Sequence, residues 1–288
     1  MNLKAMNNTR LWSRLPLFAL IGMPMAWIIG YSLAYSVGLI GLFSSGFTLD
    51  YWQSCLSNTS AGRSILLSIS VAAISTGIAT LLAIMTVVLW PGCGKNTTFL
   101  ATVCVGLGTP AVVFALLVSH WLGGGGWLAR LAWHLGLIEQ PSGVFSLVGD
   151  RFSLGIVVAQ VCTSIPLLLL FFSQMWETIK GDKLTELAAT LGASKWQIKS
   201  SVALPILLRR ARSLILLSFM FNLGSFEIPL LLGRQSPQML SVLTQRRTGQ
   251  FDISQRPESF ALSSMYFLVT SGMLILYLSW RRISAKQT

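Results

Sequence analysis

Six long stretches of this chain are almost free of charge, and this limits the solvents in which it can fold. Residues 15–49, 64–94, 96–129, 152–176 and 259–280 contain no Asp, Glu, Lys or Arg, and 213–233 contains only Glu227. A helix needs about 20 apolar residues to cross a bilayer. The runs therefore predict six spans, at approximately 15–40, 65–90, 99–122, 153–176, 213–233 and 260–280. Only 10% of the residues are charged, against about 25% in soluble domains. No alternation at period two marks a transmembrane barrel. The expectation is an all-α membrane protein of six transmembrane helices, forming one domain over residues 1–288.

The net charge of +12 would suit a nucleic-acid binder, but its placement argues for topology instead. With the N-terminus inside, the inner segments hold Lys4, Arg10, Arg14, Lys95, Lys180, Lys183, Lys195, Lys199, Arg209, Arg210, Arg212, Arg281, Arg282 and Lys286. The outer segments hold half as many: Arg63, Arg130, Arg151, Arg234, Arg246, Arg247 and Arg256. This follows the positive-inside rule and predicts both termini in the cytoplasm, with no nucleic-acid partner. The first apolar run is too long for a signal-peptide core and lacks a small-x-small cleavage site, so it reads as a retained anchor.

Cys55, Cys93, Cys104 and Cys162 have no metal-ligand spacing, and the predicted topology separates those that might pair. His120 and His134 lie on the outside, far apart in sequence. No metal site is expected. The second span carries small residues at Ser68, Ala72, Ala73, Ser75, Gly77 and Ala79, which permit close helix approach in lipid. After four glycines at 123–126, Trp127, Leu128, Leu131, Trp133 and Leu135 predict a short interfacial helix on the outer face.

The longest polar inner segment, 174–212, has its own local grammar. Asp182 is placed to cap a first helix over 183–191, and Gly192 suits the left-handed position that ends one. Ser194 and Gln197 have capping-box spacing for a second helix. Pro205 is expected where a further helix begins, since its missing N–H would lack a partner there. The prediction is a compact elbow of two short helices over 180–208, between spans four and five.

Within that elbow, Glu186-Leu187-Ala188, three residues, Gly192, nine residues, Val202, then Leu204-Pro205 resembles the coupling loop of permease subunits in binding-protein-dependent (type I) ABC importers. The family pattern has Ala where Leu187 stands. The resemblance implies a permease that forms the substrate translocation pathway and catalyses no covalent chemistry. It implies a cytoplasmic ABC ATPase dimer as partner, gripping Glu186, Ala188 and Gly192, with Leu204 and Pro205 setting the angle into span five. It also implies a second permease subunit (the same chain or a similar one), a periplasmic substrate-binding protein, and a place in the bacterial inner membrane among its lipids. No cofactor is implied for this chain; ATP and Mg would sit on the ATPase. The run 226–233 resembles the spermidine/putrescine-, thiamine- and iron-type branch of these permeases and does not choose among their substrates.

Two polar groups lie at membrane depth. Gln160, Thr163 and Ser164, beside Pro166 in span four, either line a passage or hydrogen-bond between helices. Asn222, Ser225 and Glu227 in span five are the second group, and Pro229 frees a carbonyl near Ser225. A carboxylate at the bilayer centre costs about 2.5–3.5 kcal/mol, so Glu227 faces a cavity or else sits near the headgroups. The later loop sets Arg234, Arg246, Arg247 and Arg256 against Asp252 and Glu258, either to dock an acidic face or simply as a solvated loop. The competing reading is a secondary transporter or channel driven by an ion gradient. It predicts several intramembrane charges where only Glu227 qualifies. No His-Glu-x-x-His or Gly-x-Ser-x-Gly motif supports an intramembrane enzyme.

Overall fold

The computed structural model describes residues 3–41, 46–57, 59–138, 146–249 and 256–286; Asp252 lies outside them. The described residues form helices joined by turns and short loops, with no strand among them. The chain divides into two compact units, Met1–Gly62 with Leu243–Thr288, and Arg63–Val242.

In the first unit, helix α1 (Leu3–Ser36) packs along the last helix of the chain, Arg256–Lys286, and α2 (Asp50–Ser57) rests on that same helix. The Tyr35 ring lies 4.4 Å from that of Phe260, with Tyr31 edge-on at 6.1 Å. Below them the hydroxyls of Ser32 and Ser264 are 3.3 Å apart. Glu258 gathers the short elements: its carboxylate accepts from Arg247 Nη1 at 3.0 Å and Ser54 Oγ at 3.4 Å, and its carbonyl accepts from Cys55 Sγ at 3.6 Å. The flank of α1 exposed among the described residues is apolar, with Leu20, Met23 and Trp27 each about three-quarters exposed. Water would not tolerate such a contiguous surface, whereas lipid does.

The second unit is built around α7 (Leu154–Thr178), whose Leu168 and Phe172 are wholly buried. Around it pack α4 (Thr97–Gly108), α5 (Ala111–Leu122) and the segments after α7. In α3 (Thr59–Leu89) the small residues Ser68, Ala72, Ser75, Ala79 and Ala83 form one buried stripe. Ala73 and Gly77 fall on its opposite, exposed face, so the close-approach role holds for part of the predicted set. The helix predicted after the glycine run is α6 (Trp127–His134), its Trp127 ring 5.2 Å from Trp121. α6 ends at Gly136, at φ +70°.

Five helical stretches among the described residues are long and apolar enough to cross a membrane: Ala19–Ser36, Thr59–Leu89, Ala111–His134, Leu154–Thr178 and Arg256–Ser279. Two of the six predicted spans are broken. Span three, expected as one helix over 99–122, is α4 and α5 meeting at Thr109-Pro110. The residue before proline is pushed out of the α region, and Thr109 is extended at ψ 121°. After α7 the elbow supplies α8 (Gly181–Thr190) and the short α9 (Lys195–Gln197). Span five, expected over 213–233, is α10 (Leu204–Leu223) and a short α11 (Glu227–Leu232), parted by Gly224-Ser225-Phe226. Pro229 therefore sits in the first turn of α11, where a missing N–H costs nothing, and does not kink a continuous helix.

Candidate functional site

Two regions carry the predicted residues. The elbow begins with α8, which ends on a left-handed Gly192, φ +84°. Gly192 N–H donates to the Ala189 carbonyl and Ala193 N–H to that of Ala188, at 3.0 and 3.1 Å. These paired bonds close the helix end as a Schellman motif. The capping box follows as predicted: Ser194 N–H donates to Gln197 Oε1 at 2.8 Å, and Gln197 N–H to Ser194 Oγ at 3.3 Å. Two expectations are corrected. Asp182 is not the cap of α8; Lys180, at φ +52°, precedes the helix, while Asp182 Oδ1 accepts from the indole of Trp176 at 3.1 Å. Pro205 does not open a fresh helix either. The short α9 runs through a π-helical stretch, Ile198–Ala203, directly into α10. A proline ring meets the carbonyl four residues back, here Ser201, and the wider π turn relieves that clash one turn ahead of Pro205. The result is one unbroken helix from Lys195 to Leu223, roughly 40 Å long.

The elbow's outer surface is unusually apolar for a polar segment. Leu191 is 88% exposed, Trp196 76% and Leu187 61%. Glu186 and Gly192 are also exposed, Ala188 is half-buried, and Leu204 and Pro205 are half-buried at the root of α10.

At the far end of α10, Asn222 is the centre of a buried, uncharged network. Its backbone carbonyl, one of the last four of α10, accepts from Ser225 N–H at 3.3 Å and from Gln160 Nε2 at 2.9 Å. The same amide group donates to Ser225 Oγ at 2.7 Å. Asn222 Oδ1 accepts from Ser164 Oγ at 3.1 Å, and its Nδ2 donates to Thr76 Oγ1 at 3.0 Å. Ser241 Oγ takes up the Ser225 carbonyl at 2.7 Å. The helix break in span five is thus held open by side chains from α3, α7 and the segment after α11.

Beside this network runs a groove formed where the two broken helices face each other. One part, about 400 Å³, is lined by Ala111, Thr163, Asn222, Ser225 and Glu227 among others. A second part, about 550 Å³, takes in Gly106, Thr109, Thr163, Ser164 and Phe221. Thr163, Ser164, Asn222, Ser225 and Glu227 therefore all reach it. Gln160 is fully buried, does not line the groove, and acts as the brace between helices. Glu227 is exposed in the first turn of α11, a favourable place for a carboxylate beside the helix N-terminus. Thr76 and the Thr109-Pro110 break were not predicted; the proline inside an apolar run was the available signal for the latter. Among the described residues no group of three or more His, Cys, Asp or Glu could hold a metal.

The all-helical unit with two broken spans and a rigid elbow has the fold of an ABC importer permease. Residues 96–287 match the family described as binding-protein-dependent transport system inner membrane component, and the chain belongs to that family. A curated relative is the inner membrane ABC transporter permease protein YnjC of Escherichia coli (strain K12), 24% identical over 249 residues, 83% of this chain and 45% of that protein. The chain thus spans less than half the length of that relative. Among solved structures, a bacterial ABC transporter involved in import of the acidic polysaccharide alginate matches with TM-score 0.70 and 18% identity, over 97% of this chain and 99% of that one. The alginate transporter in complex with an alginate pentasaccharide-bound periplasmic protein matches at TM-score 0.65 and 16% identity, covering 93% and 94%. At these identities the likeness is one of fold.

Proposed function

We propose that this chain is a permease subunit of an ATP-driven type I ABC importer, with the groove at the helix breaks forming part of the translocation pathway. The observation that carries the reading is the single helix from Lys195 to the Asn222 network: a push on the elbow enters it through the Gly192–Ser194 turn, which the Schellman and capping-box bonds close. In this reading a cytoplasmic ABC ATPase dimer, holding ATP and Mg, docks on Glu186, Ala188 and Gly192, and the exposed Leu187, Leu191 and Trp196 enlarge the contact. Leu204 and Pro205 fix the lever angle. Closure of the ATPases on ATP moves the elbow and opens the groove toward a periplasmic binding protein; hydrolysis resets it. A second permease copy or relative completes the pathway, and both termini lie in the cytoplasm of the inner-membrane-bound protein. The likeness of 226–233 to the spermidine/putrescine–thiamine–iron branch is part of the proposal.

Gly192 supplies the test. Nothing lies within 4 Å of a Cβ built there, so Ala and Leu meet the same backbone strain, about 1–2 kcal/mol for a left-handed residue. Only Leu extends into the space an ATPase would fill. Binding-protein-stimulated ATP hydrolysis is therefore expected to fall further in Gly192→Leu than in Gly192→Ala. Equal activity in the two variants removes the docking site from this surface.

A further inference from the structure

The lever through α10 reaches only one wall of the groove. The opposite wall, from Gly106 to Ala111, belongs to α4 and α5, which the backbone joins to the elbow only through α6 and α7. We propose that Lys95, Glu177, Asp182 and Trp176 form a strut that carries displacement of α8 to the start of α4, with Lys95 as the positioning residue at its end. The proposal rests on the reading of α8 as the ATPase contact.

The strut has two rigid ends. At the elbow, Gly181 seats α8 on the face of Trp176: a Cβ built there would fall 2.2–2.6 Å from three ring atoms. Trp176 is 3% exposed, and its indole N–H fixes one oxygen of Asp182. The other oxygen lies 3.5 Å from Lys95 Nζ, which also reaches Glu177 Oε2 at 3.1 Å. Lys95 thus bridges the last turn of α7 and the first turn of α8. At the far end, Lys95 closes a tight turn that cannot swing freely. Gly92 is left-handed at φ +82°, Cys93 is 1% exposed, and a Cβ on Gly94 would fall 3.1 Å from that of Ser173. The next residue, Asn96, caps α4 by accepting from Thr98 and Phe99 N–H at 2.9 and 3.2 Å. A displacement at Lys95 therefore passes into the first turn of α4 and along it to Gly106.

The Lys95 side chain is about two-thirds exposed, and exposed ion pairs contribute little to stability. The pair's value is therefore geometric. The hydrogen bond to Glu177 raises the Lys95 pKa above its ordinary value.

The test uses the full chain, its membrane partner and its ABC ATPase, in nanodiscs, with the native cysteines replaced. Spin labels at Val105 on α4 and Leu217 on α10 report the distance across the groove, with and without MgATP and vanadate. Wild type is expected to show a nucleotide-dependent shift. Lys95→Met and Lys95→Glu should lose it while the melting temperature stays unchanged; Lys95→Arg, which keeps a cation for both Glu177 and Asp182, should retain it. High salt should also shrink the wild-type shift, as it screens exposed pairs. An unaltered shift in Lys95→Met, with the ATPase bound, overturns the strut alone. Failure of the wild-type complex to capture the ATPase overturns the transport reading and the strut with it.

Discussion

Gln160→Leu isolates the role of the buried brace, because Leu keeps most of the volume and removes the amide. Loss of the bond to Ser225 Oγ, 2.7 Å long, accounts for about 0.6 kcal/mol, the average for side-chain bonds between membrane helices. The hydroxyl can turn elsewhere, so this term is small. The Asn222 carbonyl cannot turn. Without the 2.9 Å donor it keeps only the longer backbone bond from Ser225 N–H at 3.3 Å and the Gly224 cap, and the lost bond accounts for about 0.5–1.5 kcal/mol. One term opposes these: Gln160 Oε1 is itself buried without a partner among the described residues, and deleting it returns about 1 kcal/mol. The net is a destabilisation of about 0.1–1 kcal/mol, at about 2–4 °C of melting temperature per kcal/mol. Gln160→Glu should be worse despite its closer shape, because a carboxylate sets an acceptor against the carbonyl and must take up a proton to donate. The assay is thermal melting in nanodiscs, followed by labelling of Cys93, which is 1% exposed in the same unit. If Gln160→Leu melts clearly above wild type, or Gln160→Glu melts with wild type, the carbonyl of Asn222 is not the group being served.

Gly106→Ala should destabilise by about 1–3 kcal/mol, as overpacked sites do, because its Cβ would lie 2.7 Å from Cγ of the rigid Pro166 ring. Gly108→Ala, with open space around its Cβ, should be neutral or stabilising in the same melting assay; equal effects would refute the packing argument. Cys55 is 1% exposed, and burial first, then the Glu258 charge, raises its thiol above the ordinary 9.0. A raised pKa leaves less thiolate at a given pH, so maleimide labelling of Cys55 should need more alkaline solution than a free thiol. Glu258→Gln should move that profile back toward lower pH, and an unchanged profile would remove Glu258 as a cause.

The broad plan was legible because lipid imposes it. Water rarely tolerates uncharged runs long enough for a helix to cross a bilayer, and the Gly192 turn and the Ser194–Gln197 box are local chemistry that a short window contains whole. The misses arose where long-range packing decides. Asp182 precedes a helical pattern and so looks like a cap, yet the indole of Trp176 and the ammonium of Lys95 claim its two oxygens. Nothing near Asp182 in sequence announces Lys95. The continuity of α9 into α10 was hidden for a related reason: Pro205 reads as a helix start unless the preceding turn widens, and no residue pattern in 198–203 signals a π turn.

The two broken spans argue the connection between sequence and function most directly. Thr109-Pro110 and Gly224-Ser225 each interrupt an apolar run near its middle, where bilayer water is absent and free backbone groups are expensive. Such breaks persist only where protein or a polar cavity satisfies them. Here both open on one groove, and the span-five break is satisfied by Gln160 and Ser241. A chain that needed only to fill a bilayer would have kept both helices whole and spared itself the buried amides. That the cost is met at two facing positions, at the end of the helix that starts in the elbow, is why the groove and the elbow are better understood as one mechanism than as two features.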